Sequence, residues 1–121
     1  MTNYKKGARF EYRVRDLFRK HGYTAERKAA SSPYDIIAMK KGRICFLVDA
    51  KKTSQKDKKF IYLKRCDVEK IVHESKKLGA RPLMVYGFYR SPIYVAFPEE
   101  LLKRKVMRVE GGMKLKELIC E

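Results

Sequence analysis

The most constraining feature of this chain is an acidic residue at the end of an apolar run. Residues 44–48 read Ile-Cys-Phe-Leu-Val, which predicts a buried strand, and Asp49, Ala50 and Lys51 follow directly. An unpaired charge in such a strand costs several kcal/mol. A divalent cation held between Asp49 and an acid on an adjacent strand would offset that cost and form a centre for cutting phosphodiesters. The structural alternative is a buried ion pair between Asp49 and Lys51 or a neighbouring arginine.

Length and charge restrict the fold and the partners. The chain has 121 residues and a formal charge of +16, with 30 Lys and Arg against 14 Asp and Glu. This length suits one domain, with a core over about residues 6–97 and a C-terminal extension over 98–121. Hydrophobic residues make up 45% of the chain, which supports a folded core and excludes a disordered basic tail. The widespread positive charge favours a polyanionic partner.

Several other classes of protein are not indicated. No stretch reaches the roughly 20 apolar residues of a membrane span, and no signal peptide precedes the first helix pattern, so we expect an intracellular protein without membrane contact. The three cysteines lie far apart and only two histidines are present, which predicts neither a disulfide framework nor a zinc site. Without a P-loop or a dinucleotide fingerprint, no small-molecule cofactor is expected.

The hydrophobic periodicity predicts an α/β fold. Helices are predicted over about residues 5–21 and 63–78, each ended by a glycine. Strands are predicted at about residues 23–28, 35–39, 43–51, 82–89 and 93–97. The third strand, the second helix and the fourth strand form a parallel crossover, which should be right-handed. The expected architecture is a single domain with a central mixed sheet of about five strands, flanked by helices.

The hairpin between the second and third predicted strands decides whether two acids meet. We expect a three-residue loop, residues 40–42, which pairs Met39 with Arg43. Asp35 then lies one diagonal step from Asp49 on the same face of the sheet. A two-residue loop without a compensating bulge would place the two acids on opposite faces.

Together with one acid from the first helix, these residues compose a candidate phosphodiesterase site. Asp35 and Asp49 are predicted as direct ligands of Mg²⁺, Glu11 as a third or water-mediated ligand, and the Ala50 carbonyl as a further oxygen donor. Lys51 is predicted to offset the charge that grows on the phosphate in the transition state. Two of the acids also have structural alternatives, a turn cap for Asp35 and an ion pair with Arg15 for Glu11.

A family resemblance follows from the same residues. Asp35 with Asp49-x-Lys51 resembles the short PD-(D/E)xK nuclease motif. Over residues 6–97 the chain also resembles the archaeal Holliday junction resolvases, in Gly7-x-x-x-Glu11, Arg27, Ser31-x-x-x-Asp35, Lys64-Arg65-x-Asp67 and Gly79-Ala80-x-Pro82. This resemblance implies a restriction-endonuclease-like fold and a homodimer that cuts four-way DNA junctions with Mg²⁺, for which Mn²⁺ would substitute.

The resemblance also assigns residues. It implies a catalytic set of Glu11, Asp35, Asp49 and Lys51, with Ser31 near the scissile phosphate. The predicted DNA contacts are Arg27, Lys28, Ser32, Lys52, Lys64 and Arg65. Two positions depart from the family pattern, because Asp49 stands where cellular members carry glutamate and Tyr12 stands where a basic residue is usual. Phe60 and Tyr62 are expected in the core, with contact to DNA as their alternative.

Two other functions fit the same sequence. One is a nuclease of the same fold that acts on flaps, ends or single strands. The other is a non-catalytic nucleic-acid-binding protein whose acids serve only in salt bridges. Competition among plain duplex, flap and four-way DNA separates the first from a resolvase. The substitution Asp49→Asn separates the second, because only an enzyme has cleavage to lose.

Overall fold

Helices and strands alternate along most of the chain. The computed structural model describes residues 2–28 and 32–120, with side chains described from residue 8 onward. Its elements in chain order are α1 (Thr2–Lys20), β1 (Thr24–Arg27), β2 (Ile36–Lys40), β3 (Arg43–Lys52), β4 (Ile61–Tyr62), α2 (Arg65–Leu78), β5 (Arg81–Gly87), β6 (Tyr94–Ala96), α3 (Pro98–Leu101), β7 (Arg108–Val109) and α4 (Leu115–Ile119). None of the helices in the described ranges is long and apolar enough to span a membrane.

The central sheet contains five strands in the order β1-β2-β3-β5-β6. The pairs β1–β2 and β2–β3 are antiparallel, β3 and β5 are parallel across the α2 connection, and β6 runs antiparallel to β5. Strands β4 and β7 form a separate antiparallel pair. The predicted α/β fold, with a mixed sheet of about five strands flanked by helices, is therefore confirmed.

Both faces of β3 are covered, which explains its nearly continuous apolar sequence. Successive side chains point to opposite faces of a strand. Val48 belongs to a core cluster with Val14 of α1, whereas Leu47 belongs to a second cluster with Val68 and Ile71 of α2. Asp49, two residues after Leu47, continues the α2 face of the strand.

The C-terminal segment completes both clusters. Leu101, Met107 and Val109 are buried in the α2 cluster, and Leu115 and Ile119 are buried in the α1 cluster. The sequence pattern predicts these residues as an extension beyond the core. Helices of four and five residues, α3 and α4, show too few periodic positions for their burial to be read from the sequence.

The β2–β3 hairpin differs from the prediction. Lys40 pairs with Arg43, so that the loop contains two residues, Lys41 and Gly42, instead of three. Both have positive φ, 53° and 76°, as in a type I′ turn. This turn matches the right-handed twist of the two strands, and the predicted three-residue loop is wrong.

A bulge in β3 compensates for the shorter loop. Ala38 pairs with Phe46 and Met39 pairs with Ile44, which leaves Cys45 as the extra residue. The bulge shifts the alternation of β3 by one residue relative to β2. A two-residue loop alone would place Asp35 and Asp49 on opposite faces of the sheet, and the bulge returns them to the same face.

Beyond the bulge the ladder brings Asp35 to β3. Ile36 pairs with Val48, whereas the predicted register pairs Ile36 with Phe46. The Asp35 N–H donates to the Val48 carbonyl and the Asp35 carboxylate accepts the Ala50 N–H, both at 2.8 Å. The carboxylate thus takes the place of a ladder acceptor, and Asp35 is held beside the strand that carries Asp49.

The type I′ turn predicts a stability effect at Gly42. The substitution Gly42→Ala should lower the free energy of unfolding by about 1 kcal/mol, because a Cβ is strained at positive φ although the space around it is open. The matched control Gly42→Asn should lose less, since asparagine tolerates this region. Chemical denaturation measures both variants, and equal losses would contradict the predicted turn strain.

Candidate active site

Four predicted site residues lie at one end of the sheet. Asp49 and Lys51 occupy the last third of β3, Asp35 immediately precedes β2, and Glu11 lies in the middle of α1. Their charges act on one another, since Asp35 raises the pKa of both Glu11 and Asp49, and Lys51 lowers both. The structure therefore brings together residues that are 40 positions apart in the chain, from Glu11 to Lys51.

Asp49 is a buried and poorly satisfied carboxylate. The residue is 6% exposed, and its Oδ1 has no hydrogen-bond partner among the described residues. Lys51 Nζ lies 3.4 Å from Oδ1, which makes an ion pair but is longer than the roughly 2.7–2.9 Å of a charge-assisted hydrogen bond. Burial, aided by Asp35 and Asp67, raises the pKa of Asp49 to about 6, against the opposing effect of Lys51. The expected structural alternative, an ion pair with Lys51, is present but leaves this oxygen without a good donor.

Glu11 is held by an arginine from a neighbouring strand. Arg27 Nε donates to Glu11 Oε1 at 2.8 Å, and the side chains are 24% and 19% exposed, respectively. Burial and the nearby Asp35 raise the pKa of Glu11, although Arg27 acts to lower it. The alternative pairing with Arg15 is wrong, because Arg15 binds Asp16 instead, at 2.8 Å.

Tyr12 fixes the position of Arg27. Arg27 Nη1 donates to the Tyr12 hydroxyl at 3.0 Å, and its guanidinium carbon lies 4.6 Å from the ring centroid. The guanidinium of Arg15 lies 4.7 Å from the centroid of the same ring. Tyr12 therefore supports a cationic surface, through a cation–π contact with each arginine.

Lys51 is shared between two carboxylates. Its Nζ lies 3.4 Å from Asp49 Oδ1 and 3.5 Å from Asp67 Oδ2. Burial alone would lower the pKa of Lys51, but the attraction of Asp49, Asp67 and Asp35 outweighs it and raises the pKa. The ammonium is therefore fully charged at neutral pH.

The sequence alone does not indicate a role for Asp67. Its only sequence signals are its place in Lys64-Arg65-x-Asp67 and its position in the first turn of α2. Acids are common in that turn because they complement the helix dipole, so the position alone does not indicate a site. The β3–α2–β5 crossover is what brings Asp67 to Lys51.

The donor atoms fit a hard cation in part. Among the described residues, no three Asp, Glu, His or Cys side chains are arranged as a metal-binding group. The predicted convergence of Glu11, Asp35 and Asp49 on one ion is therefore not present, because Arg27 holds Glu11 and the Ala50 N–H holds Asp35. The buried Asp49 Oδ1 does fit, since it accepts no hydrogen bond from the described residues and a carboxylate oxygen is the ligand type that Mg²⁺ prefers.

The predicted DNA contacts fall into two groups. Lys28, Lys52 and Lys64 are exposed at the ends of β1, β3 and the segment before α2. Arg65 is exposed but donates to the Leu102 and Arg104 carbonyls, at 3.5 and 2.7 Å, and so also joins α2 to the segment after α3.

Two further residues of the predicted site, Ser31 and Ser32, belong to the segment before Asp35. Ser32 is half-buried, and its Oγ accepts the Tyr34 N–H at 3.5 Å. Ser31 lies outside the described residues. Its predicted place near the scissile phosphate therefore stays a prediction.

The fold and the site together are typical of a metal-dependent nuclease. Such enzymes place acids at strand ends to hold a cation and add a lysine or arginine for the phosphate. Here Asp35 and Asp49 lie beside each other at the ends of two paired strands, and Lys51 follows two residues later.

Comparison with known proteins assigns the family. The family model described as archaeal Holliday junction resolvase (Hjc) matches residues 2–121. The crossover junction endodeoxyribonuclease Hjc of Methanocaldococcus jannaschii is 33% identical over 92 residues, which cover 76% of this chain and 66% of that protein. The chain therefore belongs to the archaeal Holliday junction resolvase family, and the predicted resemblance is confirmed.

A solved structure supports the fold independently. The 1.6 Å structure of Hjc from Archaeoglobus fulgidus, a Holliday junction resolvase from an archaeal hyperthermophile, matches with a TM-score of 0.78 and 22% sequence identity. The match covers 94% of this chain and 95% of that one. The order and packing of the elements are thus those of a known resolvase fold.

The raised pKa of Asp49 predicts a stability effect in the metal-free protein. Because the folded chain holds this proton up to about pH 6 and the unfolded chain only to about 3.8, ionisation destabilises the fold, and stability falls as pH rises through that window. Asp49→Asn should therefore raise the free energy of unfolding by about 1–3 kcal/mol in EDTA at about pH 7.5, and the gain should vanish near pH 4.

Chemical denaturation of wild type and variant at the two pH values measures this difference. The control Asp16→Asn removes an exposed carboxylate and should change stability by less than about 0.5 kcal/mol. A pH-independent effect of Asp49→Asn, or a loss of stability at about pH 7.5, would contradict the prediction.

Proposed function

We propose that the chain is a Mg²⁺-dependent DNA endonuclease that resolves four-way junctions as a homodimer, by paired symmetric nicks. The observation that carries the proposal is the buried Asp49 oxygen without a hydrogen bond, beside Lys51, in a chain that the resolvase family model matches over residues 2–121. The relative from M. jannaschii is named as a crossover junction endodeoxyribonuclease, which supports crossover DNA as the substrate.

The charge of the chain supports the same substrate class. A formal charge of +16 gives the protein an attraction for phosphate that does not depend on base sequence. The described residues are largely taken up by a five-stranded sheet, a two-stranded pair and the helices between them, which leaves little for base-reading loops. Recognition by the shape of the DNA therefore fits this protein better than recognition by sequence.

We propose that the strand acids Asp35 and Asp49 would be the direct ligands of the cation, with Asp49 Oδ1 free of any hydrogen bond from the described residues and Asp35 beside it. The Ala50 carbonyl would add an oxygen. Glu11, which Arg27 holds in this structure, would serve as a third or water-mediated ligand. Bound Mg²⁺ would polarise the scissile phosphate and lower the pKa of the attacking water, and Mn²⁺ would substitute for it. The raised pKa of Asp49 makes this carboxylate the one that gains most from a cation.

Lys51 acts as a fixed cation and not as a base. Its raised pKa keeps the ammonium charged, so that it stabilises negative charge as it grows on the phosphate. Asp67 limits the movement of the Nζ by a second ion pair at 3.5 Å. We infer that Asp67 is a positioning residue, because it acts on the reaction only through Lys51.

The DNA is expected to cross the end of the sheet where these groups lie. Ser31 is proposed to lie near the scissile phosphate. The proposed phosphate contacts around the site are Arg27, Lys28, Ser32, Lys52, Lys64 and Arg65. Two nicks across one junction need two sites at a fixed separation, and a homodimer supplies them. Exposed apolar side chains at Leu78 and Met113 support an interface that uses α2 and the C-terminal segment.

The metal-ligand role of Asp49 predicts a separation of binding from cleavage. Asp49→Asn should reduce the single-turnover rate on a labelled four-way junction with Mg²⁺ by about 10³-fold or more. Junction binding in EDTA should stay within about threefold of wild type, because the substitution removes only one negative charge.

The matched control for Asp49 is Asp57→Asn, which changes an exposed acid in the loop after β3 and should leave both readouts unchanged. Cleavage by Asp49→Asn at the wild-type rate would contradict the assignment. Equal wild-type cleavage of plain duplex, flap and four-way DNA would remove junction selectivity and favour a general nuclease of this fold.

The positioning role of Asp67 predicts an effect on turnover alone. Asp67→Asn should lower kcat by about tenfold and leave KM and junction affinity unchanged, since Lys51 keeps its charge but loses one of two anchors. Asp67→Glu should recover part of that loss, because it keeps the carboxylate. Glu69→Gln, on an exposed position of the same helix, is the control. An equal loss in the Asn and Glu variants would contradict a charge-based positioning role.

A further inference from the structure

The pair of short strands β4 and β7 has one inner and one outer face. Ile61 pairs with Val109, and Tyr62 pairs with Arg108. Val109 is 3% exposed, and Ile61 packs against the same α2 cluster. Because side chains alternate along a strand, Tyr62 and Arg108 project from the outer face, away from that cluster.

The outer face carries two aromatic rings with cations beside them. The Phe60 and Tyr62 rings meet edge to face, with centroids 5.2 Å apart. Lys58 Nζ lies 4.5 Å and the Arg108 guanidinium carbon 4.4 Å from the Phe60 centroid. Arg108 also pairs with Glu110, at 2.6 Å. We call Lys58, Phe60, Tyr62 and Arg108 the aromatic patch.

Tyr62 is the solvent-facing member of the aromatic patch. It is 59% exposed, more than any other large hydrophobic residue in the described ranges, whereas Phe60 is half-buried beneath the two cations. The expected core packing of Tyr62 is therefore wrong. Beyond its edge-to-face contact with Phe60, Tyr62 is open to solvent and therefore accessible to a partner.

The chemistry of the aromatic patch selects a nucleic acid as that partner. A flat ring flanked by cations is the combination that stacks on a nucleobase while its neighbours contact the phosphates. A second copy of the chain is disfavoured at this patch, since a symmetric contact would place Lys58 and Arg108 against the same cations of the other copy. The charge complementarity therefore favours a polyanion that carries flat rings.

The aromatic patch also lies close to the candidate active site. Asp67, which touches Lys51, follows Tyr62 by five residues. Five residues span at most about 18 Å. At about 3.4 Å per stacked base, that reach corresponds to about five base steps along the DNA.

Within that distance, only a branched or open DNA presents an exposed base face. Inside a duplex each base is covered by its neighbours, whereas the stack is interrupted at the branch point of a four-way junction. We propose that the aromatic patch binds an unstacked nucleobase at the branch point, with Tyr62 as the stacking ring and Lys58 and Arg108 as phosphate contacts. The proposal rests on the junction substrate proposed above.

The test compares three substitutions at Tyr62 in full-length protein, in EDTA so that no cleavage occurs. The probe is a four-way junction with 2-aminopurine at the branch point, together with a duplex of the same length. Tyr62→Ala should bind the junction about tenfold more weakly, the loss expected for one base stack, and should bind the duplex as wild type does. Tyr62→Phe should retain wild-type binding and quench the 2-aminopurine fluorescence as wild type does.

Tyr62→Leu separates stacking from apolar contact. Leucine keeps apolar area without a π face, so this variant should behave like Tyr62→Ala. Val106→Ala, an exposed apolar position near β7 that is 56% exposed, is the control and should bind as wild type does. Recovery of binding in the leucine variant, or dissociation of an oligomer in the alanine variant, would overturn the proposal in favour of an apolar protein contact.

Other outcomes keep the two proposals separate. Wild-type junction affinity in Tyr62→Ala, or an equal loss on junction and duplex, would overturn the stacking role while leaving the nuclease intact. If wild-type protein quenches the branch-point fluorescence but does not cut the junction with Mg²⁺, the proposed function fails and the stacking role stands.

Discussion

The arrangement of this protein depends on one buried carboxylate that the fold does not satisfy. Asp49 lies in the last third of a strand covered on both faces. Among the described residues its close cation is Lys51, which is too distant for a strong hydrogen bond and is shared with Asp67. Burial and two further carboxylates raise its pKa to about 6. A fold that only needed stability would place an apolar residue there, since isosteric replacement of buried ion pairs is often neutral or stabilising. The cost is explained if the site exists to bind a cation.

The basic residues around this carboxylate have different roles. Arg27 is bound by Glu11 and Tyr12, and Arg65 donates to two backbone carbonyls, so both arginines help to hold the fold near the site. The bidentate shape of a guanidinium suits such a double role better than an ammonium does. The exposed lysines at the strand ends contribute positive charge to the same surface. Net charge alone therefore indicates a polyanionic partner but not which cations position the DNA.

Asp35 and Asp49 lie close together although the predicted register of the β2–β3 hairpin is wrong. A three-residue loop leaves three residues unpaired between β2 and β3, and so does a two-residue turn followed by a one-residue bulge. Both arrangements therefore keep Asp35 and Asp49 on the same face of the sheet. The motif Lys40-Lys41-Gly42 is compatible with either arrangement. The right-handed twist of the strands favours the type I′ turn over the three-residue loop. The bulge at Cys45 then accommodates the extra residue, and no sequence motif marks its position.

The amino-acid sequence by itself determined the two long helices, the five strands of the mixed sheet, the family and the proximity of Asp35, Asp49 and Lys51, because these depend on local periodicity and on motifs with short spacing. The tertiary structure alone decided that Arg27 holds Glu11, that Asp67 shares Lys51, that residues 98–120 complete the core, and that Tyr62 faces solvent. Each of these depends on contacts between elements distant in the chain. Side-chain spacing along one element carries no information about which neighbour will cover it.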